Sequence, residues 1–247
     1  MRVLDDWLLT AERVAVHLPS ASAVVADLHL GYSEARQRGG EAVPRDALDE
    51  QLSGLRRVME QHKTRRLIIA GDLLEDGRCR QALATFQEWL KAAPIELAVV
   101  PGNHDRRLLD GEDEEMLPSS IGDPQWIYPD GFTLGGWRVI HGDGPIPDGC
   151  VVHGHEHPCL RWSPKSRAVR PRFFGSRTAP YTIDGACYLV GPQRLILPAF
   201  SREAAGVNVL SVRRWRSYRC YVLAGERVLD LGELATLRTR LAAAPGR

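Results

Sequence analysis

Five short stretches of this 247-residue chain hold side chains that bind metals or move protons. They are Asp27-Leu28-His29, Gly71-Asp72, Gly102-Asn103-His104-Asp105, His141-Gly142-Asp143 and Gly154-His155-Glu156-His157. Each alone is a weak signal, because Asp-x-His arises by chance and Gly-Asp is a common turn. Together with His153 they take in six of the eight histidines. Carboxylates, imidazoles and one amide oxygen, without thiolate, form a donor set suited to Mn²⁺, Fe or Zn²⁺, and Mn²⁺ is the expected metal. So many polar groups buried without partners would be expensive, and shared metal ligation accounts for them jointly. Glycine directly before Asp72, Asn103 and His155 fits tight turns that bring backbone close to a crowded centre. The His155-Glu156 pair lacks the second histidine that a zincin helix requires, and there is neither a Walker loop nor a Gly-x-Ser-x-Gly.

Metal chemistry of this kind needs elements that deliver the five stretches to one place. Nearly every stretch comes after an apolar, β-branched run that reads as a strand: Ala23–Ala26, Arg66–Ala70, Ile95–Val100, Trp137–Ile140 and Cys150–Val152, with Val14–Leu18 earlier in the chain. Between them lie helical patterns. Arg45–Gln61 carries Leu48, Leu52, Leu55 and Met59, and Arg80–Ala93 carries Leu83, Phe86 and Leu90 before Pro94. Strands alternating with helices predict α/β layering, in which ligands collect beyond the carboxyl ends of strands. On an extended chain Asp27 and His29 would point to one side and share a cation. Later runs at Cys187–Val190, Arg194–Leu197, Val207–Val212 and Tyr218–Leu231 read as strands without intervening helices. The last would fold as a hairpin about Ala224-Gly225-Glu226, and Leu234–Ala243 would close the chain as a helix. Asp110–Glu115 and Ser163–Tyr181 read as loops.

Length and composition predict one domain spanning residues 1–247. No apolar run reaches membrane-spanning length, so no membrane partner is expected. The N-terminus lacks the basic flank and apolar stretch of a secretory signal. Five cysteines, odd in number and without a Cys-x-x-Cys pair, point away from a disulfide framework and towards the cytoplasm. The net charge of +1 conceals an asymmetry. Residues 1–157 hold 16 Lys/Arg against 26 Asp/Glu, whereas residues 158–220 hold 12 against 2. The basic part reads either as a surface that meets a polyanion or as a solvated loop whose charges answer the acidic half. Arg161, Arg167, Arg170 and Arg172 would contact phosphates, with Trp162, Phe173 or Phe174 stacking on bases. Arg213-Arg214-Trp215-Arg216 is a second basic-aromatic cluster. Core aromatics covered by arginine stems are the alternative.

In their order along the chain the five stretches resemble the calcineurin-like metallophosphoesterase superfamily. The resemblance implies a four-layer αββα sandwich with two facing mixed sheets. It also implies two divalent ions, one on Asp27, His29, Asp72 and His157, the other on Asp72, Asn103, His141 and His155, with Asp72 bridging. Ions so bridged stand ~3.5–4 Å apart and make hydroxide from a shared water near neutral pH. His104 would donate a proton to the leaving oxygen, and Asp105 would hold the His104 ring. His153 has no role to carry over and reads as structural.

A narrower resemblance rests on Asp27 to Gly31, Gly40 to Pro44, Gly102 to Arg107, Gly154 to Cys159 and Leu197 to Phe200. These are similar to the bacterial DNA-ligase-associated metallophosphoesterases, proposed repair phosphodiesterases or endonucleases. DNA would then be the substrate, with repair proteins such as a ligase or helicase as partners. The chain departs from that pattern at Glu75, where a histidine is often found, and across Ser201 to Gly206. Arg106 and Arg107, just past His104, read as phosphate contacts or as helix surface, and Arg161 as a further substrate contact. A phosphatase or diesterase for a small molecule, nucleotide or lipid precursor is the alternative within the same chemistry. A non-catalytic scaffold is the alternative outside it, and the intact ligand set speaks against that.

Overall fold

The computed structural model describes residues 1–43, 48–76, 79–92, 95–105, 127–163 and 182–243. Arg106, Arg107, the acidic run Asp110–Glu115 and the basic residues from Lys165 to Arg177 lie outside the described residues, as do Phe173 and Phe174.

Two mixed sheets carry the chemistry. The first is built from β1 (Arg2–Val3), β2 (Trp7–Leu9), β3 (Ala15–His17), β4 (Ser22–Val25), β5 (Arg66–Ala70) and β6 (Glu96–Val100), in that spatial order. Its first four strands form antiparallel pairs, and β4, β5 and β6 are parallel. Helices α1 (Tyr32–Arg38) and α2 (Leu48–Gln61) connect β4 to β5, and α3 (Arg80–Lys91) connects β5 to β6. The second sheet contains β7 (Phe132–Leu134), β8 (Trp137–Ile140), β9 (Val151–His153), β10 (Pro158–Trp162), β11 (Ile183–Gly191), β12 (Arg194–Ile196) and β13 (Val207–Asn208). The order across it is β13-β10-β11-β12-β9-β8-β7. The hairpin of β14 (Arg219–Ala224) and β15 (Arg227–Glu233) is added on β11. In this sheet β8, β9 and β12 are parallel. Helix α4 (Leu234–Ala243) comes after the hairpin.

The period-2 alternation of buried strands sorts their side chains into layers. Leu67 and Ile69 face the helices, in a cluster with Leu52, Leu55, Leu83 and Phe86. Ile68 and Ala70 face the second sheet, where they meet Val139, Val152, Tyr188 and Leu195. On the far side of that sheet Cys187, Leu189 and Ile196 pack with Trp215, Leu234 and Leu237. Three core clusters thus separate four layers: helices, sheet, sheet and helix. Burying one such Leu or Ile side chain stabilises the fold by ~1.5–3 kcal/mol. Trp7 of the first sheet, wholly buried, meets Trp137 of the second edge-on at 5.6 Å and ties the two sheets directly.

Most predicted elements are present with ends shifted by a residue or two, and the hairpin turns at Gly225 with φ +58°. One run departs from the expectation. Val207–Val212 is a strand only over its first two residues, because Asn208 bends the chain: its carboxamide oxygen accepts the Leu210 amide and its carbonyl the Ser211 amide. Arg238 then donates to the carbonyls of Val209 and Val212, so those groups are satisfied without a neighbouring strand.

Candidate metal centre

Because β4, β5 and β6 are parallel, Asp27, Asp72 and Asn103 leave the first sheet on one side. The parallel pair β8 and β9 does the same for His141, His155 and His157 in the second. Side-chain distances show the two sets meeting. Around one point, His157 Nε2 lies 3.4 Å from Asp27 Oδ1 and 3.5 Å from His29 Nε2. Around another, His141 Nε2 lies 3.4 Å from Asp72 Oδ2 and 3.1 Å from both Asn103 Oδ1 and His155 Nδ1. Asp72 Oδ2 is also 3.9 Å from His29 Nε2, so this carboxylate stands between the two groups. Asp27, His29 and His157 form one cluster of metal-ligand geometry, and Asp72, His141 and His155 form another. All seven expected ligand side chains are therefore brought together.

The residues fit two cations. His141 donates from Nδ1 to the Ala70 carbonyl at 3.3 Å, and His157 from Nδ1 to the Ala205 carbonyl at 3.1 Å. Those bonds fix the tautomers and leave both Nε2 lone pairs facing inward, as a histidine ligand's outer partner does. Asp27 is fully buried and Asp72 is 2% exposed, and among the described residues their ion-pair partners are all histidines. Buried carboxylates facing imidazole lone pairs are costly unless a cation lies between them. The carboxylates are also held from behind. Both oxygens of Asp27 accept the His155 amide, at 3.1 and 3.0 Å, and Asp72 Oδ1 accepts the His104 amide at 2.9 Å. Asp27, His29, Asp72 and His141 are buried, whereas Asn103, His155 and His157 reach the outer side.

The backbone at the ligands differs from the expectation. Asp27 and His29 do not sit on extended chain, since β4 has already ended at Val25. Asp27, His29, Asp72, His155 and His157 all have positive φ, at +55°, +46°, +47°, +66° and +40°. Left-handed backbone is unfavourable for residues with a Cβ and persists where its surroundings hold it. Here segment 27–30 is laced to segment 71–73: the amides of Asp27, His29 and Leu30 donate to the carbonyls of Gly71, Asp72 and Leu73 at 2.9–3.0 Å. Glycine is required where the turns touch. A Cβ on Gly102 would lie 2.2 Å from Asp72 Oδ1, and one on Gly154 would lie 2.4 Å from Asp27 Oδ2.

His104 sits on the exposed rim, its ring edge-on to His29 at 5.1 Å. Its partner is not the expected one. The ring donates from Nδ1 to the Glu75 carbonyl at 2.8 Å, while the Asp105 carboxylate accepts the amides of Leu73, Leu74 and Gly102 at 2.9–3.0 Å. A wholly buried carboxylate with three amides in reach is committed to the backbone, and it staples the β5 turn to the β6 turn. Burial works against the charged form of His104. The bond to Glu75 and the charges of Asp72, Glu75 and Asp105 outweigh it, so the pKa lies above the ordinary value. Glu75 carries no motif that marks it in the sequence, although it sits three residues past Asp72. Its carboxylate oxygen is 2.8 Å from His29 Nδ1. His153 is buried, donates from Nδ1 to the Gly154 carbonyl at 3.1 Å, and burial lowers its pKa.

Of the expected substrate contacts, Arg161 is exposed on β10, with Nε 3.5 Å from Asp184 Oδ1. The second basic-aromatic cluster takes the alternative form. Trp215 is buried, Arg214 lies over its ring at 5.1 Å, and the Arg214 guanidinium donates to Glu156 at 2.5 Å, between the ligands His155 and His157. All five cysteines are free, and among the described residues no helix is long and apolar enough to cross a membrane.

The calcineurin-like phosphoesterase family model matches residues 22–194, a span that contains every ligand named above. The fold is similar to the crystal structure of Pseudomonas putida nuclease MPE, with a TM-score of 0.66 and 22% identity, covering 94% of this chain and 98% of that one. No curated protein matches the chain significantly.

Proposed function

The chain belongs to the calcineurin-like phosphoesterase family, a family of metal-dependent phosphoester hydrolases, and from that premise we propose that it is a two-metal phosphodiesterase acting on DNA. The observation that carries the two-metal reading is the Asp72 carboxylate, set between the His29/His157 group and the His141/His155 group. One ion is held by Asp27, His29, Asp72 and His157, the other by Asp72, Asn103, His141 and His155. Mn²⁺ is the proposed metal at both, on the mixed nitrogen and oxygen donors. When bound, such a pair supplies Lewis acidity for a phosphoryl oxygen and lowers the pKa of water.

The remaining work falls to the chain's own groups. The buried ligands form the floor of the site, and Asn103, His155 and His157 open it to an incoming phosphate. With Nδ1 fixed on the Glu75 carbonyl, His104 presents Nε2 to the outside, and its raised pKa keeps a proton available there for the leaving oxygen. Asp105 acts through the backbone, holding the turn that carries Asn103 and His104 against the turn that carries Asp72. A diester of DNA is the proposed substrate. Support comes from the basic stretch after residue 157, the likeness to DNA-ligase-associated members of the family, and a neighbour in fold that is described as a nuclease. A cytoplasmic role in DNA repair, beside a ligase or helicase, extends the same proposal.

An assay in Mn²⁺ tests it, comparing bis-p-nitrophenyl phosphate, p-nitrophenyl phosphate, and single- and double-stranded DNA, with His104→Ala as control. Diester and DNA turnover well above monoester turnover is expected. Strong monoester turnover with inert DNA would leave only the small-substrate phosphatase reading.

A further inference from the structure

On its His157 side the metal centre adjoins a cleft of about 250 Å³, lined by Arg13, His157, Cys159, Arg161, Asp184 and Arg202 among others. Its three arginines come from distant parts of the sequence. Arg13 precedes β3, Arg161 lies near the end of β10, and Arg202 sits in the loop after β12. Arg13 cannot swing away, because its Nη1 donates to the carbonyls of Ala199 and Ser201 at 2.9 and 2.7 Å. Burial lowers its pKa, and so does the neighbouring charge of Arg202.

Opposing charge is thin. Asp184 is the acid among the lining residues, and its contact with Arg161 is a 3.5 Å pair between groups 71% and 53% exposed, which holds neither firmly. Arg202 pairs at 2.9 Å with Glu50, which lies outside the lining. Three guanidinium groups against one carboxylate leave a cleft of net charge +2 that shares a wall, His157, with the metal centre. Guanidinium forks match phosphate oxygens, and one nucleic-acid strand carries a phosphate every ~3.4 Å of helix axis.

We propose that this cleft is a phosphate subsite: Arg13, Arg161 and Arg202 hold the phosphate next along a DNA strand whose scissile diester lies at the metal centre. The proposal rests on the DNA reading above and deepens it. The enzyme gains affinity from a neighbouring phosphate, which bis-p-nitrophenyl phosphate lacks and an oligonucleotide has.

The double variant Arg161→Ala/Arg202→Ala tests this, and Arg13 is left in place because its guanidinium holds the backbone. Steady-state kinetics on bis-p-nitrophenyl phosphate and on a single-stranded oligonucleotide are compared with fluorescence anisotropy of a labelled twelve-residue oligothymidylate on metal-free protein. The oligonucleotide should lose about tenfold more kcat/KM than the small diester, mostly in KM, as expected for lost charge-assisted contacts. The anisotropy Kd should weaken about as much. Its log–log dependence on salt should fall by about 1.4, for two phosphate contacts on a single strand. An unchanged oligonucleotide KM and Kd would overturn the subsite and leave the nuclease reading standing. Equal losses on both substrates would also overturn it, by showing that the arginines support the fold or the metals. A wild-type protein that turns over the small diester but neither cleaves nor binds the oligonucleotide would overturn the DNA reading, and the subsite with it.

Discussion

His104 and Asp105 are adjacent in sequence and do different work. His104 touches the leaving group in the proposed reaction, so His104→Ala should lower kcat by ~10²–10⁴ while the protein keeps its metals; full activity in this variant would remove the assigned role. Asp105 touches only backbone. Asp105→Ala strips three buried amides of their acceptor, each worth ~1–3 kcal/mol when left unsatisfied. Its signature should be a lowered urea midpoint, and an unchanged midpoint with a lowered kcat would return Asp105 to the His104 ring. Glu75 adds a third case. Outer partners of metal-bound histidines typically hold ~10–100-fold of metal affinity, so Glu75→Ala should weaken Mn²⁺ binding by about that factor in calorimetry. Wild-type affinity would show that its approach to His29 is incidental. The residue types of the site are legible in the sequence because metal ligation restricts them to few kinds. Their partners are not, since a carboxylate accepts equally from a ring or from three amides, and only the folded turns decide which is nearer.

Elements place these residues through strand ends rather than strand faces. The β-branched runs before Asp72 and His141 can be read to the residue, because both faces of a central strand must be apolar. The backbone just past β4, at Asp27 and His29, cannot be read in the same way. Left-handed conformation has no local pattern in these residues, and it is held by hydrogen bonds to the 71–73 segment, more than forty positions away. The edge strands β1, β2 and β7, at two or three residues each, carry too short a pattern to read. Val207–Val212 has the pattern of a strand but is turned aside by one asparagine. The glycine reading survives in a sharper form, as contact with a ligand rather than turn chemistry alone. Gly102→Ala would place a methyl group 2.2 Å from Asp72 Oδ1. Metal analysis of the purified variant should show the centre depleted, and full metal content would mean that the turn yields more easily than its contacts imply.

Across the whole molecule the ligands run from residue 27 to residue 157 and divide between two sheets that share no strand. The layering between those sheets is a long-range property. Alternation in the sequence predicts strands, but the facing of the two sheets comes from the family resemblance. Metals bound between them join the halves of the sandwich, so saturating Mn²⁺ should raise the Tm; a ligand at a hundred times its Kd stabilises by ~2.7 kcal/mol. The most direct test of the two-metal account is titration of metal-free protein with Mn²⁺, tracking bound metal and diester hydrolysis together. The wild type should bind two equivalents per chain, with activity appearing as the second is taken up, and Asp72→Ala should lose both the second equivalent and the activity. A single equivalent sufficient for full activity, or an Asp72→Ala protein that still binds two and hydrolyses diesters normally, would contradict it.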